Sequence, residues 1–171
     1  MKKILIALLV LLCVSNSINC MEAKDKYKDL SKEELNKRLT YLLNSEQSRN
    51  DLEEFVGLII MGADVDIQGN YGETALHNAA YAGDVKVVRL LIDKGANIDH
   101  KDNCGRIALH HAAYAGNVEV IRLLLDKGAD RDIQNNNGLT ALNYAKDSGH
   151  KKIVELLRKK DHDWSACCIV Q

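Results

Sequence analysis

The sequence lacks the marks of several functional classes. Its 171 residues carry 23 Lys and Arg against 24 Asp and Glu, and this balance argues against a nucleic-acid-binding surface. There is no glycine-rich loop that would hold phosphates and no Gly-x-Ser-x-Gly nucleophile motif. Proline is absent, and the five cysteines are irregularly spaced, so they do not form a disulfide framework. These absences favour a binding protein over an enzyme.

A unit of 33 residues occurs twice in succession, at residues 70–102 and 103–135. The two copies are identical at 20 of the 33 positions. A shorter third copy follows at residues 136–160, and its Gly138 lies 33 residues after Gly105. A fixed period of this length predicts a stack of similar helical units.

Each copy is predicted to fold as turn, helix, turn, helix. Gly72 lies where a tight turn requires a positive φ angle. The small pair Ala79 and Ala80 lets a neighbouring helix pack closely, and Gly83 ends that short helix. Apolar residues then recur at helical spacing over residues 85–91, and the predicted core residues of the second helices are Leu90, Leu91, Leu123 and Leu124. One such helix pair cannot bury its apolar face alone, so the units must stack.

The pattern G-x-T-A-L-H-x-A-A-x-x-G, followed by V-x-x-L-L and then G-A, resembles the ankyrin repeat. The resemblance implies an all-α ankyrin-repeat solenoid of helix-turn-helix units with short hairpin-like turns. The proline usual in the family is replaced by Ala75, Ala108 and Ala141. Ile107 replaces a threonine, and Asn143 replaces a histidine. We expect each lost first-turn hydrogen bond to cost about 1 kcal/mol of stability.

The N-terminal end of the stack is predicted at residues 31–69, which occupy one repeat position without the T-A-L-H signature. Ser31 and Glu34 form a capping box that starts a helix, and Asn50 or Asp51 would cap a second one. The apolar side of the first helix would consist of Leu35, Leu39, Leu42 and Leu43. Such a degenerate repeat with a polar outer face suits the end of a solenoid.

The C-terminal end is predicted at residues 136–160. Lys146 replaces the second alanine of the pair, which is expected only on an outer face. The last helix is predicted from His150 to Lys159, and residues 161–171 form a flexible tail.

Residues 1–20 have the features of a secretory signal peptide, although a buried N-terminal helix is the alternative. Lys2 and Lys3 precede an apolar run from Ile4 to Val14 that is too short for an ordinary membrane span. Cys20 loosely fits a bacterial lipoprotein signal, and ordinary cleavage nearby is an equal alternative. Residues 21–30 would then be a polar tether. The expected location is the bacterial periplasm or envelope, with secretion or a host cell as alternatives.

The tail ends in Cys168-Ile169-Val170-Gln171, which fits the C-a-a-X prenylation box. Prenyl transfer takes place in the eukaryotic cytosol, whereas the leader directs the chain out of the cytosol in which it is made. Both signals act only if the protein reaches a host cytosol. An effector anchored by Cys168 is therefore the alternative function, and an incidental tail is favoured over it.

Histidines are the first candidates for catalysis or metal binding. His77 and His110 occupy equivalent places in neighbouring units, about 8–10 Å apart, which is too far to share one metal ion. The family resemblance implies that each binds its own turn. His100 and His111 would form at most a weak surface metal site, so a metal-dependent enzyme is the least favoured function, and no cofactor is predicted.

The resemblance implies that a protein partner docks on the turn tips and on the inward face of the first helices. Tyr81 and Tyr114 should stack side by side there, and tyrosine is frequent at interface hot spots. The alternative is that both are partly buried packing residues. A monomer that binds no nucleic acid is expected. The predicted partner-binding residues are Tyr71, Glu73, Tyr81, Cys104, Arg106, Tyr114, Asn137 and Asp147.

Overall fold

A computed structural model describes residues 27–44 and 57–158 of the chain. These residues are all-α, with no strand among them, as the sequence predicts. Residues 57–60 form a further helical segment. The seven complete helices are α1 (Lys32–Asn44), α2 (Ala75–Ala82), α3 (Val85–Asp93), α4 (Ala108–Ala115), α5 (Val118–Asp126), α6 (Ala141–Asp147) and α7 (Lys151–Leu157).

The three helix pairs stack in chain order. The first helices α2, α4 and α6 pack against each other, and each also packs against its own second helix. The alanine pairs make this close approach possible, because Ala79, Ala80, Ala112 and Ala113 are all fully buried. The stacked turns approach closely as well. A side chain on Gly72, whose φ angle is +76°, would lie 2.4 Å from Asn103 Oδ1.

The second helices contribute the larger side chains of the core. Leu91, Leu123 and Leu124 are buried, which confirms their predicted place. Leu90 was expected in the same core but is only half-buried. It lies at the flank of the buried stripe of α3, which Leu91 forms together with Val87 and Val88.

The N-terminal capping box forms as predicted. Ser31 Oγ accepts from the Glu34 backbone N–H at 3.2 Å, and the Ser31 N–H donates to Glu34 Oε2 at 3.2 Å. The four predicted leucines of α1 are buried. At its end, Asn44 Oδ1 accepts the Asn70 backbone N–H, which joins α1 to the first full unit. The predicted start of the next helix at Asn50 or Asp51 lies outside the described residues.

The last helix is shorter than predicted. Helix α7 ends at Leu157, because Arg158 already has an extended ψ of 127°. Lys146 is exposed, as expected for an outer face. In residues 27–44 and 57–158 no helix has the length and apolarity needed to cross a membrane. The leader, most of the tether, and the tail with Cys168 lie outside these ranges, as does Cys20.

Candidate partner-binding surface

Three tyrosines form a row along the first helices, which we call the tyrosine row: Tyr81, Tyr114 and Tyr144. The rings of Tyr81 and Tyr114 stack with centroids 6.3 Å apart and planes 20° apart. Tyr144 meets Tyr114 edge-on at 6.4 Å and 82°. Tyr114 is 55% exposed, and the other two are half-buried. The predicted stacking of the first two rings is therefore confirmed, and their role in binding stays a prediction.

Sequence reasoning missed Tyr144, which does not occupy the position equivalent to Tyr114. That position in the third unit holds Asp147. Tyr144 precedes Asp147 by three residues, so the two share one face of α6. Helical spacing within the unit would have found this tyrosine, whereas comparison of equivalent positions did not.

Each tyrosine of the first two units is held at its backbone by the following unit. Asn117 Nδ2 donates to the carbonyls of Ala80 at 2.9 Å and Tyr81 at 2.8 Å. His150 Nε2 lies 3.1 Å from the Tyr114 carbonyl, which can only accept, so the nitrogen is the donor. These bonds satisfy carbonyls that a helix end leaves open. They fix α2 and α4 where the stacked rings emerge.

The equivalent histidines bind both their own turn and the next unit. His77 Nδ1 accepts the Thr74 backbone N–H at 3.0 Å, and its Nε2 donates to the Arg106 carbonyl at 3.1 Å. His110 repeats this with the Ile107 N–H at 3.2 Å and the Leu139 carbonyl at 3.0 Å. The bond to the turn was predicted. The bond to the next unit was not.

At Asn143 the first-turn hydrogen bond that was expected to be lost is present, so the expected loss of stability is wrong at this position. Thr140 donates to Asn143 Oδ1 through its N–H at 2.9 Å and its hydroxyl at 2.8 Å. The amide oxygen thus accepts the hydrogen bond that the histidine Nδ1 accepts in the other two units. Ile107 has no hydroxyl and keeps only the backbone bond, so the expected loss remains there.

His77 and His110 are both weaker bases in the folded protein than a free imidazole is. Burial, together with the nearby His111, lowers the pKa of His77 to about 4. The hydrogen bond to the Arg106 carbonyl opposes the shift only in part. Burial likewise lowers the pKa of His110. Each imidazole is neutral at pH 7 and has both nitrogens in use, which suits a structural role.

Arg106, a predicted partner contact, is engaged within its own turn. Its Nε donates to Asp102 Oδ2 at 2.8 Å, and its N–H donates to Asp102 Oδ1 at 2.8 Å. His111 Nε2 lies 3.2 Å from the same carboxylate. Burial acts to raise the pKa of Asp102, but the bonds from His111 and Arg106 outweigh it and hold that pKa well below its usual range. Asp102 is therefore an anion that closes the hairpin.

The other predicted partner contacts are Tyr71, Glu73, Cys104 and Asn137 at the turn tips, and Asp147 on α6. Tyr71 is 75% exposed, and Glu73 is half-buried. Cys104 is an exposed free thiol. Asn137 and Asp147 are exposed as well. The tips are joined by backbone bonds, from the Asn103 N–H to the Tyr71 carbonyl and from the Asn136 N–H to the Cys104 carbonyl.

His100 and His111, which were expected to form at most a weak surface metal site, have other partners. His100 Nε2 lies 2.9 Å from Gln68 Nε2, and His111 faces Asp102. Among the residues that the structure describes, no group of three or more His, Cys, Asp or Glu side chains is placed to hold a metal ion.

The family described as Ankyrin repeats (3 copies) matches residues 43–135 and 94–166. Together the two matches cover more than half of the chain. A comparison with curated proteins finds no match. Ankyrin repeats generally mediate protein binding, and proteins built from them are typically non-catalytic. The stacked units, the histidine bonds between them and the family match lead to one conclusion: the chain belongs to the ankyrin-repeat family.

Proposed function

We propose that the chain is a non-catalytic protein-binding module that docks its partner on the inward face of the first helices. The observation that supports this most directly is the tyrosine row. Tyrosine combines a large apolar ring with a polar hydroxyl and is enriched at interface hot spots. A ring that is 55% exposed, as in Tyr114, has area left to bury against a partner.

The surroundings of the row favour binding with little loss of freedom. Tyr114 is held between Tyr81 and Tyr144, and its carbonyl is held by His150. Side chains that are already ordered lose less entropy when a partner arrives. A rigid aromatic surface of this kind is suited to an anchor residue of a protein partner.

The test is partner capture from an extract of the source cells, with the full chain as bait. Tyr114→Ala alone, and together with Tyr81→Ala, should weaken capture by tenfold or more, since anchors carry most of the binding energy. Tyr41→Ala is the matched control, because Tyr41 is 72% exposed on α1, away from the row. If the control and the double variant capture equally, the surface lies elsewhere.

We also propose that the module acts outside the cytosol in which it is made. The support is the leader at residues 1–20, with Lys2 and Lys3 before the apolar run. Mass spectrometry of the native protein should find a start between Ile18 and Met21. A diacyl adduct on Cys20 would mean a membrane-anchored lipoprotein, and an unmodified start a protein without this anchor. An intact Met1 contradicts export.

A further inference from the structure

We infer that the tyrosine row, together with Asp147, binds an arginine side chain of the partner. This inference rests on the proposed function, because it names the chemical group that the same surface would recognise. It goes beyond the repeat architecture, since it depends on side chains that differ between the units.

Residues 81, 114 and 147 occupy the same place in three successive units and are Tyr, Tyr and Asp. Two stacked rings are thus followed in line by an exposed carboxylate. Tyr144 adds a third ring one helical turn before Asp147. Aromatic faces beside a carboxylate form an environment that favours a cation.

Two neighbouring cations, Arg106 and Lys146, do not compete with an arginine at this surface. Arg106 is engaged by the buried Asp102 at 2.8 Å. Lys146 takes the position of Ala113, which is completely buried between units. Its side chain therefore belongs to the open end of the stack, not to the inward face. The exposed carboxylate of Asp147 is therefore the negative group that this face offers to a cation.

Arginine suits this surface better than lysine does. A guanidinium is planar and stacks on an aromatic face, and it binds a carboxylate through two parallel N–H groups. The rings of Tyr81 and Tyr114 already stack on each other, 20° from parallel with centroids 6.3 Å apart, and a planar guanidinium can extend such a stack. A lysine ammonium has no plane to match this arrangement and is more strongly hydrated.

The probe is a fluorescein-labelled peptide with two arginines in a glycine–serine background, titrated with the full chain in fluorescence polarisation. Matched peptides carry lysine or the uncharged isostere citrulline. The arginine peptide should bind at least about fivefold more tightly than either, in line with a partly exposed cation–π contact. Equal binding of the arginine and lysine peptides, or of the arginine and citrulline peptides, overturns the inference.

Two pairs of variants locate the site. Asp147→Asn should weaken binding of the arginine peptide about fivefold, whereas Glu155→Gln removes the same charge from the exposed side of α7 and should change nothing. Tyr114→Leu should weaken binding about tenfold, and Tyr41→Leu should not. Equal effects within either pair would place the peptide elsewhere and overturn the inference.

A competition experiment separates this inference from the proposed function. The arginine peptide should displace the captured partner from the wild-type chain. If it binds nowhere while the tyrosine double variant still loses the partner, the surface is right and the arginine assignment is wrong. If the double variant keeps the partner, the proposed function fails, whatever the peptide does.

Discussion

Two hairpins of the stack share one backbone geometry but are closed by different chemistry. At residues 102–106, Asp102 Oδ1 accepts two backbone N–H groups, at 2.9 and 2.8 Å. At residues 135–139, Asn135 Oδ1 accepts the equivalent two groups, both at 2.9 Å. The second carboxylate oxygen of Asp102, Oδ2, contacts His111 and Arg106. In Asn135 the amide nitrogen Nδ2 takes its place and donates to the Tyr144 hydroxyl at 2.9 Å.

Asn135 lies one unit after Asp102 along the chain, and Tyr144 lies one unit after His111. One hairpin is thus ionic and the other neutral, although both use the same two backbone donors. A buried anion depends on every partner it has, because an unpaired buried charge is costly. A buried amide depends less on its partners. The difference teaches that the repeat fixes the backbone bonds and leaves the second side-chain bond open to variation.

The largest loss of stability should follow from removing the carboxylate of the ionic hairpin. Asp102→Ala removes the acceptor of two backbone N–H groups and the partner of Arg106, and should lower the free energy of unfolding by about 3 kcal/mol. Asn135→Ala removes only neutral bonds and should cost about 1–2 kcal/mol. Urea denaturation of both variants gives the comparison. A larger loss for Asn135→Ala would reverse it.

Acid should weaken the junction beside the ionic hairpin next. The pKa of His77 falls from 6.5 to about 4 on folding, so the unfolded chain binds the proton more readily. The stabilisation is complete above pH 6.5 and is lost as the pH falls to about 4, a change of about 2–3 kcal/mol. Urea midpoints measured between pH 4 and pH 7 report this loss.

His77→Asn supplies the control for the acid effect, because Asn143 shows that asparagine keeps the bond to the turn. The variant does not titrate, so its stability should change less between pH 6.5 and pH 4 than that of the wild type. The lowered pKa of His110 leaves a residual slope in the variant. An unchanged slope would mean that His77 does not carry the effect.

A smaller effect should come from exchanging the chemistry of the two hairpins. The double variant Asp102→Asn with His111→Tyr copies the neutral pair into the ionic position, and should remain within about 1 kcal/mol of the wild type. Each single variant should be less stable than the double one, because it breaks the pair without replacing it. Additive losses would show that the paired residues do not act together.

The smallest effect should appear at the open end. Asn143→His would have no carbonyl of a following unit to bind among the residues that the structure describes, so the free energy of unfolding should change by less than about 0.5 kcal/mol. His110→Asn loses the bond to the Leu139 carbonyl and should cost about 1 kcal/mol. Thermal melts of the two variants separate the outcomes, and equal shifts would contradict the role of the second histidine nitrogen.

The sequence predicted the parts of this fold that repeat. The period of 33 residues, the alanine pairs and the helix-ending glycines were sufficient for the stacked helices and for the contact between Tyr81 and Tyr114. Each of these signals recurs at a fixed spacing and has one physical meaning. The family match at residues 43–135 and 94–166 agrees with that part of the prediction.

The sequence did not predict the hydrogen bonds between residues whose separation follows neither the helical period nor the 33-residue repeat. His111 meets Asp102 nine residues away, and His77 meets the Arg106 carbonyl 29 residues away. Such pairs depend on how two turns are set against each other, which no local pattern reports. For the same reason the ion pair between Arg106 and Asp102 was not predicted, and the role of Arg106 in partner binding stays a prediction.

The hydrogen bonds that cross each boundary in both directions have a mechanical consequence. His77 donates forward to the Arg106 carbonyl, and Asn117 donates backward to the Tyr81 carbonyl. Tension applied at the C-terminal end meets one boundary at a time, because the last described unit has a neighbour on one side only. In single-molecule stretching the stack should give way stepwise, and each full unit should release about 110 Å of extended chain.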